Sequence, residues 1–178
     1  RLVIRSGDRL NVYWDIFREY IQTGKVPIIP LRYLPSNDFS SIYKVTKYLN
    51  HDSPLSVQEL VEHTGFSEGT VQNIGTDINM FGIATREGGS YLLSNDIEQK
   101  NNVDVLRAIR NKFKKHAFTL SIQDRPSNTI VTVNDAIHVL KDMYPNNSYA
   151  EKTWRTYTVR LCRWLELCGL IINSNGDW

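Results

Sequence analysis

Apolar residues recur along this chain with helical and strand spacings, and the switches between the two mark its elements. Val71, Ile74, Ile78 and Phe81 follow the i, i+3, i+7, i+10 spacing of a helix face turned to a core. Gly82 then ends the helix, Ile83-Ala84-Thr85 supplies a short strand, and Gly88-Gly89 turns the chain towards Tyr91. The pattern returns 87 positions later: Phe81 to Tyr91 aligns without a gap on Cys168 to Trp178. The helix faces match at the same offset, Val71, Ile74, Ile78 and Phe81 falling on Thr158, Leu161, Leu165 and Cys168. A shared helix face, glycine stop and turn predicts a repeated structural unit.

Capping and turn residues extend the reading to the rest of the chain. Leu2–Arg5 and Leu10–Tyr13 read as a hairpin about Gly7-Asp8, followed by a helix from Ile16 to Gln22 capped by Asp15. Pro27, Pro30 and Pro35 make Val26 to Ser36 an extended tether. A helix over Ser40–Leu49 turns Ile42, Val45 and Leu49 inward, with Lys44 and Lys47 on its polar side. Ser56 and Glu59 form a capping box, Thr64-Gly65-Phe66 a sharp turn, and Ser67 caps the helix that runs to Phe81. Beyond a polar connector, Val103, Leu106, Ile109, Phe113 and Ala117 predict one amphipathic helix and Phe118 to Ile122 a short strand. Thr132-Val133-Asn134-Asp135 opens a helix with Ile137, Leu140 and Met143 inward, and a long helix runs from Ala150 to Cys168. Trp178 falls where the second strand of the second hairpin should begin, so that hairpin is expected to be cut short. The predicted fold class is mainly α with small β-hairpins, divided into a hairpin, helix and tether over 1–36, a first repeat over 37–95, and a linker helix with the second repeat over 96–178.

Composition narrows the possibilities. The chain's 178 residues, 41% of them hydrophobic, can bury an ordinary core. No apolar run approaches the roughly 20 residues of a membrane helix, so no membrane partner is expected. Cys162 and Cys168 lie about 9 Å apart along one predicted helix, too far for a disulfide, and read as reduced thiols of a cytoplasmic protein. The net charge of +2 is unevenly spread: residues 1–94 carry 9 Lys and Arg against 10 Asp and Glu, residues 95–178 carry 12 against 9. A polyanion contact therefore belongs in the second half. There is no phosphate-binding Gly-x-x-x-x-Gly-Lys loop, the four histidines lack zinc-helix spacing, and Asp96, Glu98 and Lys100 sit in a polar linker. No catalytic residue, metal or cofactor is expected in this chain.

The cations of the long second-repeat helix fall on one side. At 100° per residue, Lys152, Arg155, Thr156, Arg160 and Arg163 lie within about 80° of Lys152, while Trp154, Tyr157, Leu161, Trp164, Leu165 and Cys168 lie between about 120° and 220°. Such a helix can place Lys152, Arg155 and Thr156, with Ser148 and Tyr149 near its start, in the major groove of DNA, and Arg160 and Arg163 on phosphates. A solvated surface helix is the alternative. Arg107, Arg110, Lys112, Lys114 and Lys115 form a second cluster beside His116, suited either to phosphates or to offsetting a helix dipole. The matching first-repeat helix has no Lys or Arg, and its Gln72, Asn73 and Thr76 leave a structural or protein-contact role open.

With these elements in place, residues 38–178 resemble tandem winged-helix domains. The segment Trp154-Arg155-Thr156-Tyr157 through Arg163-Trp164-Leu165-Glu166-Leu167-Cys168-Gly169-Leu170-Ile171 is similar to winged-helix recognition modules of restriction-type proteins. The opening hairpin with Val12-Tyr13-Trp14-Asp15-Ile16-Phe17-Arg18-Glu19-Tyr20-Ile21 looks like the winged-helix tail that closes the ATPase module of some bacterial ATPases. The resemblance implies double-stranded DNA as partner, and an N-terminal ATPase or other domain in a larger, prokaryotic protein that begins before Arg1. The rival expectation is a regulatory module in which winged helices pack on a protein partner or on an ATPase core.

Overall fold

Seven helices and two antiparallel hairpins occupy the described residues of the structure, a computed structural model covering 3–6, 9–12, 31–98, 100–126, 129–173 and 178. Strands β1 (Val3–Ser6) and β2 (Arg9–Val12) pair with Ser6 opposite Arg9, as the hairpin reading predicts. Gly7, Asp8 and the helix expected over Ile16–Gln22 lie outside the described residues. The chain divides into compact units 1–30 and 31–178, so Leu31–Ser36 belongs with both repeats.

In the larger unit, α1 (Phe39–Thr46) starts where the Asp38 carboxylate accepts from the Ser41 amide. The expected capping box opens α2 (Val57–Thr64), Gly65 ends it at φ 70°, and Ser67 caps α3 (Glu68–Met80). Strands β3 (Ala84–Glu87) and β4 (Ser90–Leu93) follow, joined through Gly88 and Gly89 at φ 57° and 88°, a conformation that favours glycine. Helix α4 (Asn102–Phe113) leads into α5 (Ala117–Gln123), and a second capping box, Thr132 with Asp135, opens α6 (Val133–Met143). Helix α7 (Glu151–Leu167) is followed by Gly169 at φ 62°.

Two elements differ from expectation. Phe118 to Ile122 is helical, not a strand: its apolar alternation is fortuitous, because Phe118 and Ile122 are buried at helical i, i+4 spacing while Leu120 is 39% exposed. The amphipathic helix also stops before Ala117, where His116 caps a new helix, and its inward stripe is Val105, Ile109 and Phe113 rather than Val103, which is 71% exposed.

The repeat extends into the backbone pairing. Leu55, just before the cap of α2, exchanges hydrogen bonds with Tyr91 at 2.9 and 2.8 Å. Val131, just before the cap of α6, exchanges a pair with Trp178, whose amide donates to the Val131 carbonyl at 3.1 Å. Trp178 therefore stands in the place of Tyr91 and closes the second repeat by the same contact. Ser174–Asp177 lie outside the described residues.

The repeats do not have separate cores. Phe81, at the end of α3, lies 5.5 Å from Trp164 of α7 and 5.6 Å from Phe113 of α4 between ring centroids, and Phe39 of α1 meets Trp164 edge-on. Segments 37–95 and 96–178 thus share one aromatic cluster. Residues 31–37 form a strap across it. Leu31 pairs with Lys115 and Ala117, Arg32 with Met143 and Tyr144, Tyr33 with His116, and the Pro35 carbonyl with Arg160 at 3.1 Å. Asp77, fully buried on α3, accepts from the Tyr33 hydroxyl, the Ser36 and Asn37 amides and the Asn37 side chain. The expected tether is in its second half a seam. Among the described residues no helix is long and apolar enough to cross a membrane.

Candidate nucleic-acid interface

Helix α7 divides along its length as its periodicity predicts. Trp154, Leu161, Trp164, Leu165 and Cys168 are buried with Thr158 and Cys162, which removes their surface from water and fixes which way the opposite face turns. Lys152, Arg155, Thr156 and Arg163 are exposed on that face. Ser148 and Tyr149 are exposed just before the helix, where the Tyr149 ring is held edge-on against Trp154 at 5.0 Å and Tyr157 at 5.7 Å. Arg160 is the exception: it is half-buried, bonded to the Pro35 carbonyl and set over the Tyr157 ring. Its guanidinium is committed to the strap.

The acids of α7 are engaged and most of its cations are not. Glu151 pairs with Lys141 of α6, and Glu166 accepts from the Trp178 indole at 3.4 Å. Lys152, Arg155 and Arg163 have no carboxylate partner among the described residues. Of the seven helices, α7 is also the one with no side-chain cap, Ala150 standing at its N-cap. Its first amides therefore keep the positive end of the helix dipole open beside Lys152 and Arg155.

The cationic face forms one wall of an open groove of about 1110 Å³. The other wall is Ser36 to Ser40, with Phe39, Val159 and Leu167 as apolar lining. Asp38 in that wall is taken up in capping α1, where bonds from Ser41 and Ser40 hold its carboxyl below its ordinary pKa. The groove thus combines internally satisfied acids with cations that lack a counter-charge.

The second basic cluster is divided by its surroundings. Arg107 pairs with Asp104 at 2.8 Å, and Arg110 acts on the thiol of Cys168 at the far end of α7. A Cβ at Gly82 would lie 3.2 Å from the Lys112 stem, so this lysine covers the end of α3. Lys114 and Lys115 are exposed. Cys168 and Lys152 are about 24 Å apart along the axis, so the two clusters lie at opposite ends of α7. His116 is buried: its Nδ1 accepts from the Phe118 amide at 3.2 Å, which leaves the proton on Nε2 to be donated to the Tyr33 carbonyl at 2.8 Å. Burial lowers its pKa, the Tyr33 carbonyl partly opposing.

Asp77 was legible as one of the few acids of α3, yet its place three residues after Ile74 and four before Phe81 already put it on the buried face. The use of Arg160 and Tyr33 by the strap has no local sequence signal, since their partners lie 125 and 44 residues away. Comparison with protein families, with curated proteins and with solved structures finds no match.

Proposed function

We propose that residues 31–178 are a tandem winged-helix module that binds double-stranded DNA through α7. The observation that carries this reading is the N-terminal half of α7: exposed, uncapped, and bearing Lys152 and Arg155 without counter-charges beside Thr156, Ser148 and Tyr149. A helix of this kind fits a major groove about 12 Å wide, its side chains reaching base edges and its first amides a phosphate. Arg163 reaches a flanking phosphate, Arg160 fixes the strap, and Lys114 and Lys115 serve only a duplex that bends towards the far end of α7. The protein is read as one part of a larger cytoplasmic protein of prokaryotic type.

A fluorescence-anisotropy titration of 30-base-pair duplexes tests this. Lys152→Ala with Arg155→Ala is expected to weaken binding by roughly 10- to 100-fold near 0.1 M salt, with unchanged circular dichroism, because both side chains are exposed. Unchanged affinity would remove α7 from the interface. The apolar lining of the groove favours a second reading, a regulatory module that seats a segment of a protein partner there. Under that reading the protein binds no duplex even at 20 mM salt.

A further inference from the structure

Each repeat concentrates its cations on one element, but not on the same one. In the second repeat they are on α7, and α5 has no Lys or Arg. In the first repeat α3 has none, and α1 presents Lys44 and Lys47, both exposed and three residues apart on one side of the helix. Aromatic faces, rather than carboxylates, hold these two lysines. Lys44 Nζ lies 4.6 Å above the Phe66 ring and Lys47 Nζ 4.6 Å above the Tyr43 ring. The Tyr43 ring is stacked on Phe39, and its hydroxyl donates to the Lys100 carbonyl at 3.3 Å, so the platform under Lys47 is fixed.

Phe66 immediately precedes Ser67, the cap of α3. Lys44 is therefore held beside the start of the helix that corresponds to α7. One turn further along α1, Tyr48 stacks on His63 of α2 at 5.1 Å. Glu68, the acid at the start of α3, accepts from Gln72 at 3.0 Å, and among the described residues no carboxylate pairs with either lysine. A cation over an aromatic face is ordered without being neutralised. That suits a phosphate contact, which gains from a side chain already placed and from the counterions it releases.

We propose that Lys44 and Lys47 form a second DNA contact, gripping the sugar–phosphate backbone beside the start of α3, so that the two repeats hold one duplex by different elements. The inference rests on the reading of α7 as a DNA-binding helix. It is tested on residues 1–178 by titrating 30-base-pair duplexes of several sequences between 50 and 200 mM salt. Lys44→Gln with Lys47→Gln is expected to weaken binding about 10-fold for every sequence alike, and to lower the slope of log affinity against log salt by about 2, at roughly 0.9 per phosphate released. Lys44→Arg with Lys47→Arg should keep both affinity and slope. If the Gln variant binds as the parent does while Lys152→Ala with Arg155→Ala still weakens binding, this second contact is refuted and the α7 reading stands. If the Arg variant loses as much as the Gln variant, the charge is not what matters and the proposal falls. If the parent protein binds no duplex at all, both readings fail together.

Discussion

A buried imidazole that accepts a hydrogen bond from one neighbour and donates to another can do so only while neutral, and His116 is placed in that way between Phe118 and Tyr33. Burial sets its folded-state pKa below the ordinary 6.5. Above about pH 6.5 both folded and unfolded chains carry a neutral ring, and its contribution to stability is complete. As pH falls through that value the unfolded chain takes up a proton that the folded chain refuses, so stability drops by up to about 1.4 kcal/mol per pH unit. The carboxyls of Asp38, Glu59 and Asp135 have lowered pKa values and act only below the ordinary carboxylate range, outside this window. Urea denaturation between pH 7.5 and 5 should show this slope in the parent protein. It should be absent in His116→Asn, whose amide can still cap α5; a slope that persists there would assign it to other groups.

At the scale of elements, α7 is the helix whose start is left open. Replacing Ala150 with Ser should stabilise the fold by about 1 kcal/mol by capping its first turn, and Ala150→Asp should do the same while weakening duplex binding, because its carboxylate takes the place of a phosphate. Thermal melts and anisotropy titrations of the two variants separate these effects; an Asp variant that binds as tightly as the Ser variant would place the start of α7 away from DNA. Elements marked by short-range chemistry were legible in the sequence. Ser56–Glu59 and Thr132–Asp135 cap helices where expected, and Gly65, Gly82 and Gly169 end or turn them at positive φ. The stretch 117–123 was misread because seven residues are too few for period two and period 3.6 to separate, and only the burial of Phe118 with Ile122 decides between them. The strap escaped for another reason. Its conformation is set by Asp77, His116, Tyr144 and Arg160, partners that no local pattern brings together.

At the scale of the molecule, the sharing of Phe39, Phe81, Phe113 and Trp164 makes residues 31–178 one folding unit. Fragments 37–95 and 96–178 each leave part of that cluster in water, and truncating one such ring in an intact core already costs about 3–5 kcal/mol. The 31–178 segment should melt in one transition with coincident far-ultraviolet dichroism and tryptophan fluorescence, and neither fragment should show a cooperative melt alone. A cooperative melt of either fragment would establish an independent domain. The two thiols of α7 give this shared core a chemical clock. Cys162 and Cys168 are buried, and burial pushes both up to about 12, so at neutral pH they are neither reachable nor ionised while the helix is docked. A thiol reagent consumes them only in the moments when α7 lifts from the aromatic cluster, so its rate counts those openings. A ligand that grips α7 then declares itself as a slowing of alkylation, whatever the ligand proves to be.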